Sequence, residues 1–426
     1  MRFSARLIVI TIAILFSFLS SCVKNQDNNW THFRGNDLSG ISEVKGLPVS
    51  WNDSTNIEWK VEIDGRGWSS PVVYGDQIWC TTATPDGKSM YAICNDLKTG
   101  EQIFRIKIFE PDTVYRKHAI NSYATPTSCI ENGFVYVHFG RYGTACINTN
   151  SGETVWERTD FQCEHVQGPG SSLLLYKDLL IVHFEGTDIQ YIVALDKMSG
   201  ETVWKSERPQ ECYEPLDDIA KKAYVTPIIV NVKGKEMLIS NGSAVAIAYD
   251  PLTGNEIWRI VEGAESTVSM PVVSDGIVYY YTGFELDEEG KRFAELLAVN
   301  PDGEGDLTNT NIIWRNRTPP QQLSTPVIKD GLIYTIDSEA TMMCLDALTG
   351  EVAWSNKLKG KYHSSPISAG GYIYFNSIKG ETIVIKEGRN LEIVANNSLD
   401  GEIWTTPAIA DGSMLIRTSK FLYRIR

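Results

Sequence analysis

The sequence predicts an all-β fold, an eight-bladed β-propeller of four-stranded antiparallel blades whose ring is closed by an N-terminal strand. Three observations predict it. A motif of a small residue, a Pro, a few apolar residues and a Gly/Asp turn recurs eight times along the 426 residues. A second motif, A-x-D-x-x-T-G-x-x-x-W, interleaves with the first. The spacing of successive units, 40 to 55 residues, is that of one four-stranded blade.

The first motif opens as SSPVVYGDQIW at Ser69 and recurs down to TTPAIADGSMLI at Thr405. Its anchors are Pro71, Pro126, Leu173 in place of Pro, Pro227, Pro271, Pro326, Pro366 and Pro407. An x-Pro step favours an extended start, and Pro at the first residue of a strand forfeits no ladder bond. The Gly/Asp pair turns the chain back, and alternation such as Ile-Tyr-Thr-Ile marks a half-buried strand. In the second motif, Asp and Thr can bond nearby backbone while Gly supplies positive φ. Its clearest copies start at Ala194, Ala248 and Cys344, and weaker ones lie at Asn95 and Ile147. The copy ending at Trp314 is interrupted by an insertion, and the last, near Val394, has decayed. Trp59, Trp156, Trp204, Trp258, Trp314 and Trp354 share the blade period and are read as wedges between blades; Phe104 takes the same place in another copy. Trp59 precedes the first anchor, so residues 57–63 are expected to supply the last blade's fourth strand and remove two free edges. The alternative is seven blades with one set of strands unpaired.

The chain ahead of the ring reads as an address. Residues 1–21 have a basic start, an apolar run from Leu7 to Leu19 and then Ser20-Ser21-Cys22. This resembles a bacterial lipoprotein signal peptide, cut before a Cys that is then acylated. The expected division is a signal peptide over 1–21, a tether and lead-in over 22–50, and a propeller over 51–426, with Cys22 the lipidated residue. Val23 after the Cys, rather than Asp, favours an outer membrane lipoprotein by resemblance to enterobacterial sorting. Aromatics at 10% and charged residues at 22% exclude a disordered chain or a coiled coil. A net charge of −14 argues against nucleic acid as a partner. Seven further Cys are scattered through apolar segments with no CxxC. Two pairings are weighed against buried free thiols: Cys163 with Cys212, and Cys80 with Cys94 across a hairpin centred on Gly87.

The Trp, Asp and Thr-Gly positions, with their S-x-P anchors, resemble the pyrroloquinoline quinone (PQQ)-like β-propeller repeat family over residues 51–426. The lead-in Trp30-x-x-Phe33-Arg34-Gly35, with Leu47-Pro48 and Trp51, is similar to that of exported members. That family includes BamB-like outer-membrane assembly lipoproteins and quinoprotein alcohol dehydrogenases, both eight-bladed. The first kind implies a lipid-anchored, non-catalytic scaffold of the cell envelope that binds a protein or carbohydrate partner. The second implies a PQQ-dependent oxidoreductase of alcohols or sugars with calcium at the propeller axis. It would need a quinone on a Trp and calcium held by Glu, Asn and Asp, and no set of matching spacing stands out. There is also no Cys-Cys pair and no haem motif. The scaffold reading therefore leads, with no catalytic residues, no cofactor, no metal site and a monomeric propeller expected.

A ligand or partner would sit where the loops entering the innermost strands surround the axial channel. Three residues before each anchor stand Trp68, Tyr123, Gly170, Tyr224, Val268, Leu323, His363 and Trp404. Arg66, Arg116, His118, Glu164, His165, Glu265, Gln321 and Gln322 lie in the same loops. Aromatic faces with a few polar groups suit a small-molecule or sugar site. The competing reading is that the rings cap and pack the blades. Three His could hold a metal, but His118, His165 and His363 belong to blades 2, 3 and 7. His138 and His183 fall on strands and read as core residues. Segments 105–123 and 205–224 lengthen two mouth loops, and residues 282–292, with the run FELDEEGKRF, extend a hairpin in blade 5. Asp217-Asp218, in the second of these loops, reads as a solvated turn.

Overall fold

The computed structural model describes residues 29–52, 54–263, 265, 267–320 and 322–426. The signal peptide, Cys22 and Gln321 lie outside the described residues. The chain forms eight antiparallel sheets around one axis. Blades 1 to 7 occupy residues 72–109, 129–158, 174–207, 228–261, 272–318, 327–357 and 367–398. Blade 8 takes three strands from the C-terminus, Ala408–Ala410, Ser413–Arg417 and Phe421–Ile425. Its fourth, Ile57–Glu62, pairs antiparallel with Phe421–Ile425, so the two ends of the ring share one sheet. The count is eight, and no set of strands is left over.

The outer strands explain why Trp recurs. In all eight blades the pairing of the third and fourth strands slips by one residue just before the Trp position. Such a bulge bends the strand and re-aims its side chain. The Trp59 indole N–H donates to Leu97 O at 3.1 Å, Trp156 to Lys197 O at 2.9 Å, Trp204 to Pro251 O at 3.1 Å and Trp314 to Ala347 O at 3.0 Å. Each acceptor lies in the Asp-x-x-Thr/Ser-Gly turn of the following blade. In those turns the Asp carboxylate accepts two backbone N–H groups, as Asp196 does from Met198 and Ser199. The turn glycine has positive φ and rests on the ring, so a Cβ on Gly200 would lie 2.7 Å from Trp156. Trp354 reaches Gly388 O at 3.4 Å. Trp258 is fully buried but its N–H has no acceptor, because the blade 5 turn is replaced by an insertion. That insertion lays Gly305–Asp306 beside Trp258 as a fifth, parallel strand of blade 4. In blade 7 the equivalent position, opposite Val384, is Ala395 and not Val394.

Two further expectations are corrected. The first strand of blade 2 is Cys129–Glu131, so Ser128 takes the anchor position and Pro126 lies two residues earlier. The Asn132-Gly133 turn fixes where that hairpin ends, and the strand counts back from it. In blade 1, Cys80 pairs with Ile93 and Trp79 with Cys94. The one-residue offset sends the two thiols to opposite faces. All seven described cysteines are free, Cys163 and Cys212 included.

Residues 29–44 run across the face opposite the mouth. Trp30 exchanges backbone bonds with Val73 in blade 1, Thr31 O accepts from Ile130 N in blade 2, and His32 Nε2 accepts from Leu175 N in blade 3. The segment then crosses the axis at Phe33 and Arg34, and Ile41–Ser42 pairs parallel with Ser368 and Ala369 in blade 7. Trp51 N donates to Asn397 Oδ1 before the chain enters blade 8. Among the described residues no helix is long and apolar enough to cross a membrane.

The wedge contacts predict a difference between two glycines of equal φ. Gly200→Ala is expected to cost roughly 2–4 kcal/mol, combining αL strain with overpacking against Trp156. Gly276→Ala, in open space at similar φ, should cost about 1 kcal/mol, the strain alone. Urea unfolding of both variants measures the gap, and equal losses would remove the wedge from the account.

Candidate functional site

The mouth of the ring opens into an axial cavity of about 820 Å3. In an extended segment, residues two apart face the same way. Counting back from the corrected anchors, the residues three before are Trp68, Thr125, Gly170, Tyr224, Val268, Leu323, His363 and Trp404. All eight line the cavity. His118, Glu265 and Gln322 join them from the mouth loops. Tyr123 does not, because the blade 2 register is two residues later. It sits with Tyr115, Arg116, Lys117, Arg141, Tyr142 and His165 around a small side pocket between the loops of blades 2 and 3. Its hydroxyl donates to Tyr115 O at 3.1 Å.

Trp68 and Trp404 stack on each other, with centroids 5.0 Å apart and planes at 12°. They bridge blades 1 and 8, the seam at which the ring closes. Arg66 covers Trp68 at 4.9 Å, and His363 meets Trp404 edge-on at 5.1 Å. The Trp68 N–H donates to Ile120 O at 3.1 Å and the Trp404 N–H to Glu402 at 2.9 Å. These rings both face the cavity and brace the seam.

Below the mouth lies a ring that the sequence reading did not single out. The residue just before each anchor is Ser or Thr in seven blades and Met270 in blade 5. Each hydroxyl oxygen accepts a backbone N–H from the preceding blade. Ser70 N donates to Thr127, Thr127 N to Ser172 and Ser172 N to Thr226, each at 3.0 Å. Met270 N donates to Thr325 at 3.1 Å, Thr325 N to Ser365 at 3.0 Å, Ser365 N to Thr406 at 3.1 Å and Thr406 N to Ser70 at 3.0 Å. The recurrence of a hydroxyl before the anchor, as in SSP, VTP and STP, was the available signal. Arg34 closes the floor. Its guanidinium donates to Thr325 O, Pro326 O, Pro366 O and Ser39 O at 2.7 to 3.1 Å, and to Leu38 O at 3.4 Å. Burial lowers its pKa to about 9 despite nearby Asp37.

The insertion 205–224 is held to the mouth by a fully buried polar network. Glu185 accepts from Tyr213 Oη at 2.8 Å, Ser243 N at 2.8 Å and His183 Nε2 at 2.9 Å. Arg208 Nε donates to Tyr213 Oη at 2.7 Å. Burial alone would raise the Glu185 pKa, but Arg208 and His183 hold it below its ordinary value. Asp217 and Asp218 sit exposed on the same loop, Asp218 paired with Lys221. His138, on its strand, bonds Thr144 at 2.8 Å. Burial lowers His363 and His165 to about 4. No group of three or more His, Cys, Asp or Glu among the described residues could cage a metal.

A protein-family model described as outer membrane protein assembly factor BamB matches residues 188–304 and 304–420, more than half of the chain. BamB of Yersinia pestis is 23% identical over 268 residues, covering 53% of this chain and 66% of that protein. BamB of Nitrosomonas eutropha is 25% identical over 136 residues, 32% of this chain and 30% of that protein. The chain thus spans less than two thirds of either relative's length. The crystal structure of BamB from Moraxella catarrhalis superposes with a TM-score of 0.59 at 13% identity, over 87% of this chain and 99% of that one. Quinohemoprotein alcohol dehydrogenase from Comamonas testosteroni gives 0.64 at 12% identity, over 93% and 80%. At these identities the structural likeness shows the fold alone.

Burial of the imidazoles sets a pH dependence. His32 is also lowered to about 4 and His138 to about 3. Below pH 6.5 the unfolded chain binds protons that the folded chain refuses, so stability falls as pH drops from about 6.5 towards 4. Thermal scans should give a lower Tm at pH 5 than at pH 7. The His165→Asn, His363→Gln double variant should narrow that difference, and an unchanged difference would assign it to other groups.

Proposed function

We infer the function from one premise: the chain belongs to the family of the outer membrane protein assembly factor BamB. The protein is a non-catalytic scaffold of the bacterial cell envelope. The acylated Cys22 anchors it to the outer membrane, and its loop face holds a protein of the outer membrane assembly machinery. The observation that carries the reading is how that face is built. Its long loop 205–224 is fixed by the Glu185–Arg208–Tyr213 network, and a fixed loop pays less ordering entropy on binding. Elsewhere around the mouth stand Arg66, Arg116, Lys117 and Arg141, none in an ion pair among the described residues, and the last three line the side pocket between the loops of blades 2 and 3. Arg141 instead covers Tyr115 at 3.6 Å, and the Lys117 ammonium donates to Asn121 O at 2.6 Å. Unpaired cations on a chain of net charge −14 select an acidic segment of the partner.

The oxidoreductase alternative requires a quinone and calcium at the axis, and the residues there do not fit them. Calcium takes six to eight oxygens, usually with several carboxylates. Glu265 is the one carboxylate among the described residues lining the cavity, and Lys222 Nζ lies 3.8 Å from it. Trp68 is already engaged in a stack with Trp404 and lies under the Arg66 guanidinium.

Affinity capture from detergent-solubilised envelope should enrich an outer-membrane assembly protein. Arg66→Glu with Lys117→Glu should weaken that capture about tenfold or more at unchanged Tm. Absence of an enriched envelope protein, or dye-linked oxidation after reconstitution with PQQ and calcium, would overturn the reading. Cys22→Ala should shift the protein from the membrane to the soluble fraction, and its retention in the membrane would remove the anchor.

A further inference from the structure

We propose that the floor of the axial cavity is an anion site that takes the carboxylate or phosphate group of a small ligand. The inference stands apart from the partner reading, since it concerns the channel and not the rim. It rests on the direction in which the hydroxyl ring points. A Ser or Thr hydroxyl has one donor hydrogen besides its lone pairs. In Ser70, Thr127, Ser172, Thr226, Thr325, Ser365 and Thr406 the oxygen already accepts a backbone N–H. None of the seven donates to a described protein group. All are nearly buried, at 4% exposure or less, and all line the cavity. Seven O–H donors therefore converge on the axis with no protein acceptor. A buried polar group left unpaired is costly, so the ring calls for an occupant rich in acceptors.

Arg34 gives that occupant its sign. It is fully buried, and its five hydrogen-bond acceptors are carbonyl oxygens, not a carboxylate. One of them is the carbonyl of Thr325, a member of the ring, so the charge lies one peptide group beneath the donors. Asp37 is the carboxylate near it, but it makes no hydrogen bond to the guanidinium. A buried cation that no carboxylate bonds raises the potential around it. A cation in the channel would meet both the donor hydrogens and this field. A neutral acceptor would use the donors but gain little from Arg34. A carboxylate or phosphate uses both, through charge-assisted hydrogen bonds. The cavity above, about 820 Å3, admits the rest of a small ligand.

The test uses the full chain at constant ionic strength. Inorganic phosphate, glucuronate and neutral glucose are titrated by calorimetry and by thermal shift. Phosphate or glucuronate is expected to bind and raise Tm, the better of the two naming the preferred group, while glucose does neither. Thr226→Val and Thr406→Val should each weaken the anion about tenfold, the worth of a hydrogen bond to a charged group. Met270 shows that one blade closes without this hydroxyl, so Thr226→Val is expected to fold, with its ligand-free Tm as the check. Binding of neither anion overturns the proposal. So does equal binding by wild type and both variants, which would mean an adventitious ion only.

Discussion

The hydrogen bonds that run from blade to blade around the axis are the constraint on which the rest of the molecule depends. Seven backbone N–H groups each find the hydroxyl of the next blade, and the bond from Thr406 to Ser70 joins the last blade to the first. A circle fixed at this radius decides which side chains meet. The residue before each anchor faces inwards, so the residue two earlier does too, and the cavity wall follows from strand geometry. It also decides what must happen further out. Blades held together at the axis diverge towards the rim, and the bulge-borne Trp fills the wedge between them. The polar bond at the centre and the indole at the periphery thus share one seam, and each makes the other's geometry possible.

The lead-in segment belongs to the same logic. A ring leaves the channel open at both ends, and here residues 29–44 close one of them. The segment bonds in turn to blades 1, 2, 3 and 7, with Arg34 bound to backbone at blades 6 and 7. It therefore staples distant parts of the circle as well as sealing it. The outcome is a chamber with one mouth, in which the donors of the floor face the axial volume while Arg116, Lys117 and Arg141 line the side pocket beside it.

Much of this was legible in the sequence because the repeat carries it. Pro, Asp-x-x-Thr-Gly and Trp gave the blade count, and the placement of Trp59 before the first anchor gave the closure. Seven of the eight positions predicted three before an anchor do line the cavity. The eighth, Tyr123, failed because Pro126 imitates an anchor while the Asn132-Gly133 turn sets the true register. Cys80 and Cys94 failed for the related reason that one residue of register reverses a side chain's face. The floor escaped because its parts carry no chemical signature alone. Arg34 is satisfied by carbonyls that come from residues about 290 to 330 positions away in the sequence. A Ser or Thr before an anchor reads as strand punctuation until seven of them are seen in a circle.

The places where the repeat lapses fall together, and that is informative. Met270 supplies no hydroxyl, so the N–H of Thr226 gains no bond of the ring type. Trp258, at the same seam, has no acceptor for its indole N–H. Glu262 lies buried there with one carboxylate oxygen unpartnered, and burial raises its pKa to about 8 despite the Tyr280 hydroxyl at 3.2 Å. The seam between blades 4 and 5 has thus lost the ring-type hydroxyl bond at the axis and the indole bond at the rim, and keeps the Asn241 amide, which donates to Ser269 O and Tyr281 O at 3.2 Å. What takes the place of the two lost bonds is apolar contact. One hydrophobic cluster runs from Leu174 in blade 3 through Ile247 and Trp258 in blade 4 to Leu297 and Val299 in blade 5, with Leu307 from the insertion over its edge. A directional bond and a non-directional packed surface can close the same gap, but only the former fixes register. The parallel strand Gly305–Asp306, pairing with Trp258 and Arg259, supplies the register that the missing hydroxyl and indole acceptor no longer do.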